Sequence, residues 1–143
     1  MVAAILRRDT PRTLGRHVVL ALAVLAMAWP NEARPQQEAA LASTNWRLVS
    51  VGATAMPGAG AISFSNDQMT GRGPCNRFFA TYRQYGQRLE VDRLGSTKVA
   101  CPGQMDKEKA LFDALATVAG FRRENDGLSL TDKSGSVVIR LAR

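Results

Sequence analysis

Gly71-Arg72-Gly73-Pro74-Cys75-Asn76-Arg77-Phe78-Phe79-Ala80-Thr81-Tyr82 is the stretch around which this chain of 143 residues is organised. Its glycines and proline break regular structure, and the aromatic and β-branched residues after Arg77 favour a pleated, half-buried strand. Phe78, Ala80 and Tyr82 share one face of that strand, while Arg77, Phe79, Thr81 and Arg83 share the other. Gln84-Tyr85-Gly86-Gln87 turns the chain into Arg88-Leu89-Glu90-Val91-Asp92, where alternation is strict. Leu89 and Val91 point inward and the charged residues outward, the pattern of an antiparallel sheet with one wet face. Asn76 is expected to hold the turn after Cys75 by bonding its side chain to local backbone. Thr97 carries the same structural expectation.

Working outward, Asn45 to Val51 alternates, with Trp46, Leu48 and Ser50 on one side and Arg47 and Val49 on the other. A Gly- and Pro-containing loop through Met56 to Gly60 is apolar enough to fold back over the core. Ile62–Phe64 and Gln68–Thr70 form a short hairpin about Asn66-Asp67. Met105 to Ala119 changes to helical spacing, with Leu111, Leu115 and Val118 on one stripe widened by Phe112 and Ala119. Asp106 and Glu108 fall in its first turn, where negative charge suits the helix dipole, and Gly120 is the expected stop. Phe121–Glu124, Leu128–Thr131 and Val137–Leu141 complete the chain, separated by turns at Asn125-Asp126-Gly127 and Asp132–Gly135. About eight short antiparallel strands and one helix packed on them predict a mainly β, α+β domain, a small barrel or sandwich.

The N-terminus reads differently. Arg7, Arg8, Arg12 and Arg16 precede an uncharged apolar run from Val18 to Trp29, and Ala26-Met27-Ala28 supplies small residues at a cleavage position. This is the layout of a secretory signal peptide over residues 1–28. The run is too short to span a bilayer, which needs roughly 20 residues. Residues 29–43, rich in Gln, Ala, Glu and Pro, read as a flexible linker to a domain over residues 44–143. Four of the 19 basic residues and one of the 12 acidic ones lie in the leader, which leaves 15 against 11, a net of +4. A modest excess of this kind suits a solvated mixed-charge face, and nucleic acid is not an expected partner.

His17, the only histidine, also lies in the leader. Without it the folded part has no Ser-His-Asp or Cys-His arrangement, and two cysteines alone cannot complete a tetrahedral metal site. No cofactor, metal or catalytic residue is expected. Export to an oxidising compartment makes a disulfide between Cys75 and Cys101 the expected state of the two thiols. The alternative is two buried free thiols, as in a protein kept in the cytosol.

Trp46-x-Leu48, Cys75-Asn76-Arg77-Phe78 leading to Tyr82, and Thr97-x-x-Ala100-Cys101-Pro102 occur in that order. The helix with Glu108, Leu111, Phe112 and Leu115, then Leu128-x-Leu130, follow them. In this combination the chain resembles the META domain, the HslJ-like group of bacterial envelope and heat-shock-associated proteins, over about residues 43–143. Pro74 departs from the second glycine usual before the cysteine, and Ala80 from the glycine common before the tyrosine. The resemblance implies a barrel-like domain with a packed helix, exported and linked to envelope stress, with no reaction established.

The function expected is therefore that of a non-catalytic periplasmic or secreted protein, a monomer without a membrane span once the leader is removed. It is expected to support the envelope stress or heat-shock response by binding other envelope components, an envelope protein partner among the candidates. An inhibitor or pilotin-like accessory factor docking on a partner is the alternative, with a small-ligand carrier as a third. Arg77, Arg83 and Arg88, outward on neighbouring strands, read first as a solvated face and second as a candidate surface for an anionic envelope component.

Overall fold

The computed structural model describes residues 40–143. The leader, and the linker up to residue 39, lie outside the described residues. Strands β1 (Thr44–Val51), β2 (Thr54–Ala55), β3 (Ala61–Phe64), β4 (Gln68–Arg72), β5 (Arg77–Tyr85) and β6 (Arg88–Ser96) precede helix α1 (Met105–Thr117). Strands β7 (Gly120–Glu124), β8 (Gly127–Thr131) and β9 (Val137–Ala142) follow it. All pairings are antiparallel, in the order β1-β3-β4-β5-β6-β7-β8-β9. Strand β9 returns to β1 and closes an eight-stranded barrel, with β2 as a two-residue addition on the edge of β1.

A barrel of eight strands leaves an interior that side chains can fill. Here they do: Trp46, Ile62, Met69, Phe78, Leu89, Leu130 and Ile139 are each no more than 2 % exposed. Burial of each such side chain is worth roughly 1.5–3 kcal/mol before the entropy of ordering it. Helix α1 adds Leu111 and Leu115 to the same core, and Phe112 meets Phe78 edge-on with ring centroids 5.9 Å apart. Met56 is buried as well, so the loop after β2 does fold back over the core.

Four sequence expectations need correction. Leu41 is fully buried and its N–H donates to Gln84 Oε1 at 2.9 Å, so the ordered domain begins inside the segment assigned to the linker. A single leucine among alanines and polar residues has no period, and only the finished barrel supplies its pocket. Along β1 the register with β9 shifts between Leu48 and Ser50, a bulge that puts Val51 inside and leaves Ser50 half-buried. Helix α1 ends at Thr117, two residues early, because Val118 turns extended (ψ 126°) to enter β7. Gly120 is then no helix stop but the first residue of β7, where a Cβ would sit 3.0 Å from Gln87 O and Thr131 Oγ1.

The barrel has one thin seam. Strands β6 and β7 share a single residue pair, Arg88 with Gly120. Two further bonds flank it, Leu89 N–H to Ala119 O and Phe121 N–H to Gln87 O, at 2.9 and 2.8 Å. Beyond them β6 runs on to Ser96 with β5 on one side and no strand on the other. A bulge marks this run: Arg93 sits at φ 55°, and the register with β5 shifts opposite Ala80.

Candidate functional site

Cys75 and Asn76 leave β4 through the turn Gly73-Pro74, which closes with Gly73 N–H on Asn76 O at 2.7 Å. Their own N–H groups point to the helix. Glu108, 4 % exposed, accepts Cys75 N–H on Oε2 at 3.0 Å and Asn76 N–H on Oε1 at 2.9 Å. One carboxylate thus satisfies two backbone donors that no strand partner reaches. Gly73 must lack a side chain here, since a Cβ would stand 2.7 Å from Glu108 Oε2.

Asn76 extends the network to the segment before the helix. Its Nδ2 donates to Val99 O at 3.0 Å, and its Oδ1 accepts Val99 N–H and the Thr97 hydroxyl, both at 2.8 Å. Thr97 Oγ1 in turn accepts Arg77 N–H at 3.1 Å. The amide therefore holds backbone, as expected, but that of a residue 23 positions on instead of its own turn. A Cys75–Cys101 disulfide with Cα atoms 5.9 Å apart fastens the same two segments. Glu108 is the member that sequence reasoning left in the first helical turn. Its position three residues before Leu111, on the inward face of α1, was the available signal.

Trp46 fills the barrel interior, its Nε1 donating to Thr44 Oγ1 at 2.8 Å. Tyr82 is buried edge-on to Phe64, and its hydroxyl donates to Ser65 O at 2.6 Å. Burial first, and then the charge of Asp67, raise the Tyr82 phenol above its ordinary value. Arg77, Arg83 and Arg88 do face outward, but they do not form one cationic surface. Arg83 pairs with Glu90 at 3.5 Å and Asp92 at 3.3 Å, and Arg88 pairs with Glu90 at 3.7 Å while lying over the Tyr85 ring. Arg77 stands six residues up the same strand, about 20 Å away.

Beside β6, where it parts from β7, lies a cleft of about 850 Å³. Leu89 and Val91 of β6 line it together with Ala116 of α1 and with Val118 and Ala119 of the link to β7. Arg83, Glu90 and Asp92 rim it, together with Asp132–Ser134 from the β8–β9 turn. The Asp132 carboxyl is held below its ordinary range, chiefly by the Ser134 hydroxyl and further by backbone N–H groups of that turn. The cleft combines an apolar floor of five side chains with seven polar or charged ones around it, in the size range of binding sites. Among the described residues no group of three or more His, Cys, Asp or Glu is gathered as a metal ion requires. No helix among them is long and apolar enough to cross a membrane.

A family model described as the META domain matches residues 39–143. The chain is also similar in fold to an NMR structure of a protein from Burkholderia xenovorans, at 24% identity and a TM-score of 0.58. That match covers 72% of this chain and 83% of the other. A second NMR structure matches at 20% identity and TM-score 0.56, over 71% and 90% of the two chains. A crystal structure of a duf4847 family protein from Bacteroides vulgatus ATCC 8482 matches at 15% identity and TM-score 0.52, over 71% and 93%. At these identities the likeness is one of fold alone. No curated protein matches the sequence.

Proposed function

The chain belongs to the META domain family, and from that premise we propose a non-catalytic, exported envelope protein that docks a partner protein at the β6–β7 seam. The observation that carries this reading is the open edge of β6. An extended segment of a partner would continue the sheet from β6 through main-chain hydrogen bonds, the mode in which sheet edges recruit peptides. Its apolar side chains would seat against Leu89, Val91, Ala116 and Val118, which line the cleft at that edge. Export is supported by the Cys75–Cys101 bridge, since structural disulfides persist in oxidising compartments. A part in envelope stress belongs to the same proposal. The small-ligand carrier is the weaker reading, because the barrel interior is filled by side chains.

The test uses the full chain in cells that export it, with a photo-crosslinking amino acid at Val91 or, as control, at Phe79. Phe79 is 58% exposed on the outer face of β5, away from the cleft lining. The expected result is a discrete protein adduct from Val91 that Phe79 does not give. An empty Val91 lane, or identical adducts from both positions, removes the docking reading. A product starting at residue 29 in the periplasmic fraction checks export, and an uncleaved cytosolic chain counts against it.

A further inference from the structure

Four side chains lie in a row across the outer face of neighbouring strands. Arg47 on β1 is the cross-strand partner of Ala61 on β3, Ala61 that of Arg72 on β4, and Arg72 that of Arg77 on β5. Directly opposed residues of an antiparallel pair share a face, and all four of these are exposed. Arg77, set apart from Arg83 and Arg88, thus stands with two other arginines. Beyond Arg47 the row continues into Ala142 on β9, so it holds arginine and alanine and no acid.

Like charges directly opposite each other destabilise a sheet, and Arg72 faces Arg77 in that way. The four ion pairs among the described residues use Arg83, Arg88 and Lys109 as their cations, so none of them neutralises this row. Arg47 donates from Nε to the main-chain oxygen of Arg143 at 3.1 Å, with Nη2 on the same oxygen, which holds its guanidinium in place. Between Arg47 and Arg72 the short side chain of Ala61 leaves a cleft of about 420 Å³, lined by both arginines, the Gly58–Gly60 loop and the Gly73-Pro74 turn. The loop is pressed against β4, since a Cβ on Gly60 would stand 2.1 Å from Arg72 O. Glu108, the acid beside Gly73, is buried and gives its two oxygens to the N–H groups of Cys75 and Asn76.

We propose that this cleft binds a phosphate group, with Arg47 and Arg72 as its donors and Arg77 as a third charge beside it. The two donors start from backbones about 10 Å apart, two strand spacings, so both side chains reach one oxyanion over Ala61. A guanidinium meets phosphate oxygens with paired N–H bonds, and the bound anion offsets the opposition of Arg72 and Arg77. Three cations suit the charge of about −1.5 to −2 on a phosphate ester better than the single charge of a carboxylate. The site lies on β1, β3, β4 and β5 and stands or falls without the docking seam.

The arginine Nε–H signals of the full chain report on the site in proton–nitrogen NMR, each assigned by its loss on substitution. Sodium phosphate and, separately, sodium glycerol phosphate are titrated against sodium chloride at matched ionic strength. The signals of Arg47 and Arg72 are expected to shift saturably, while those of Arg83 and Arg88, already paired with Glu90 and Asp92, stay in place. Tighter binding of glycerol phosphate identifies an esterified phosphate, as in a lipid headgroup, and equal or tighter binding of phosphate identifies the free ion. Arg72→Gln is expected to weaken binding about tenfold or more, and Arg77→Gln about threefold. Arg72→Gln also removes one of two opposed charges, so its Tm without phosphate should match or exceed that of wild type, while the rise in Tm with phosphate disappears. Shifts no larger than those with chloride, shifts shared equally by Arg83 and Arg88, or Arg72→Gln binding as tightly as wild type overturn the site. So does a Tm for Arg72→Gln that is lower than wild type by the same amount with and without phosphate, which would assign Arg72 to packing.

Discussion

The Glu108 carboxylate lies 2.9 Å from the backbone nitrogen of Asn76, across 32 residues of sequence, and ties helix α1 to the start of β5. Its second oxygen takes Cys75 N–H, so removal of this one side chain strands two donors in a buried place. Glu108→Ala is expected to cost about 2–4 kcal/mol in urea unfolding, because charged hydrogen bonds and unsatisfied buried donors both carry high costs. Glu108→Gln, which keeps one acceptor, should lose clearly less. Equal losses for the two variants would mean that Glu108 acts through packing alone.

Asn76 cannot be replaced by its acid. The Nδ2 donor to Val99 O would become an oxygen facing an oxygen at about 3.0 Å, within a network already holding the Glu108 carboxylate. Asn76→Asp therefore should destabilise by about 1–3 kcal/mol, with the two acceptor bonds to Thr97 and Val99 preserved. Urea unfolding reads the loss, and an Asn76→Asp variant as stable as wild type would refute the assignment.

The sheet and the helix were legible because their periods are local properties of the chain. Leu89-Glu90-Val91 and Leu111 to Leu115 declare their faces within a turn or two. What was hidden depends on closure. Thr54-Ala55 forms a strand only because β1 offers an edge beside Ser50 and Val51. Arg93 to Ser96 continues β6 only past a bulge, and a positive φ at an arginine leaves no mark in the sequence. Leu41 and Glu108, both buried, find hydrogen-bond partners 43 and 33 residues away, in Gln84 and Cys75. The cysteine pair and its neighbours were legible as a turn and a bridge. The helix carboxylate that completes that corner, the seam and the row of Arg47, Arg72 and Arg77 are products of tertiary packing and were not.

Gly71 is required by the ring opposite it. Phe78 is its cross-strand partner, and a Cβ at residue 71 would stand 2.2 Å from Phe78 Cζ and 2.5 Å from Ala61 O. The aromatic ring covers the glycine backbone, a pairing that also serves Gly95 beneath Phe79. Gly71→Ala must displace a buried ring or a strand backbone and is expected to cost about 2–4 kcal/mol, at the upper end of overpacking effects. Gly103→Ala meets no atom but has φ 77°, so it should cost about 1 kcal/mol from backbone strain alone. Parallel urea titrations compare them, and a Gly71 variant no worse than the Gly103 variant would contradict the packing.

The Cys75–Cys101 bridge closes a loop of 26 residues. In the chain-entropy account a loop of this length stabilises by about 3.5 kcal/mol. The double variant Cys75→Ser with Cys101→Ser should lose a comparable amount, with Val99 N–H exchanging faster than the barrel core. Unreduced protein recovered from the exporting host should carry no alkylatable thiol by mass spectrometry; two labelled cysteines would refute the bridge.

Tyr82 makes alkaline stability a test of its burial. Its phenol is raised above the ordinary value of about 10, so the folded chain holds the proton more tightly than the unfolded chain does. The stability it contributes is fully present below pH 10 and is lost as pH rises through the higher folded-state value, because the unfolded state binds fewer protons in that window. Tyr82→Phe removes the titrating group together with the 2.6 Å bond to Ser65 O. At pH 8 the variant should be less stable than wild type by about 1 kcal/mol, the net worth of one hydrogen bond. Above pH 10 the wild type should fall more steeply, so the gap narrows as the hydroxyl ionises against its own burial and against Asp67. Urea unfolding of both proteins across that range reads the difference directly. Parallel curves with a constant gap would mean that Tyr82 titrates no differently when folded, contrary to its buried position.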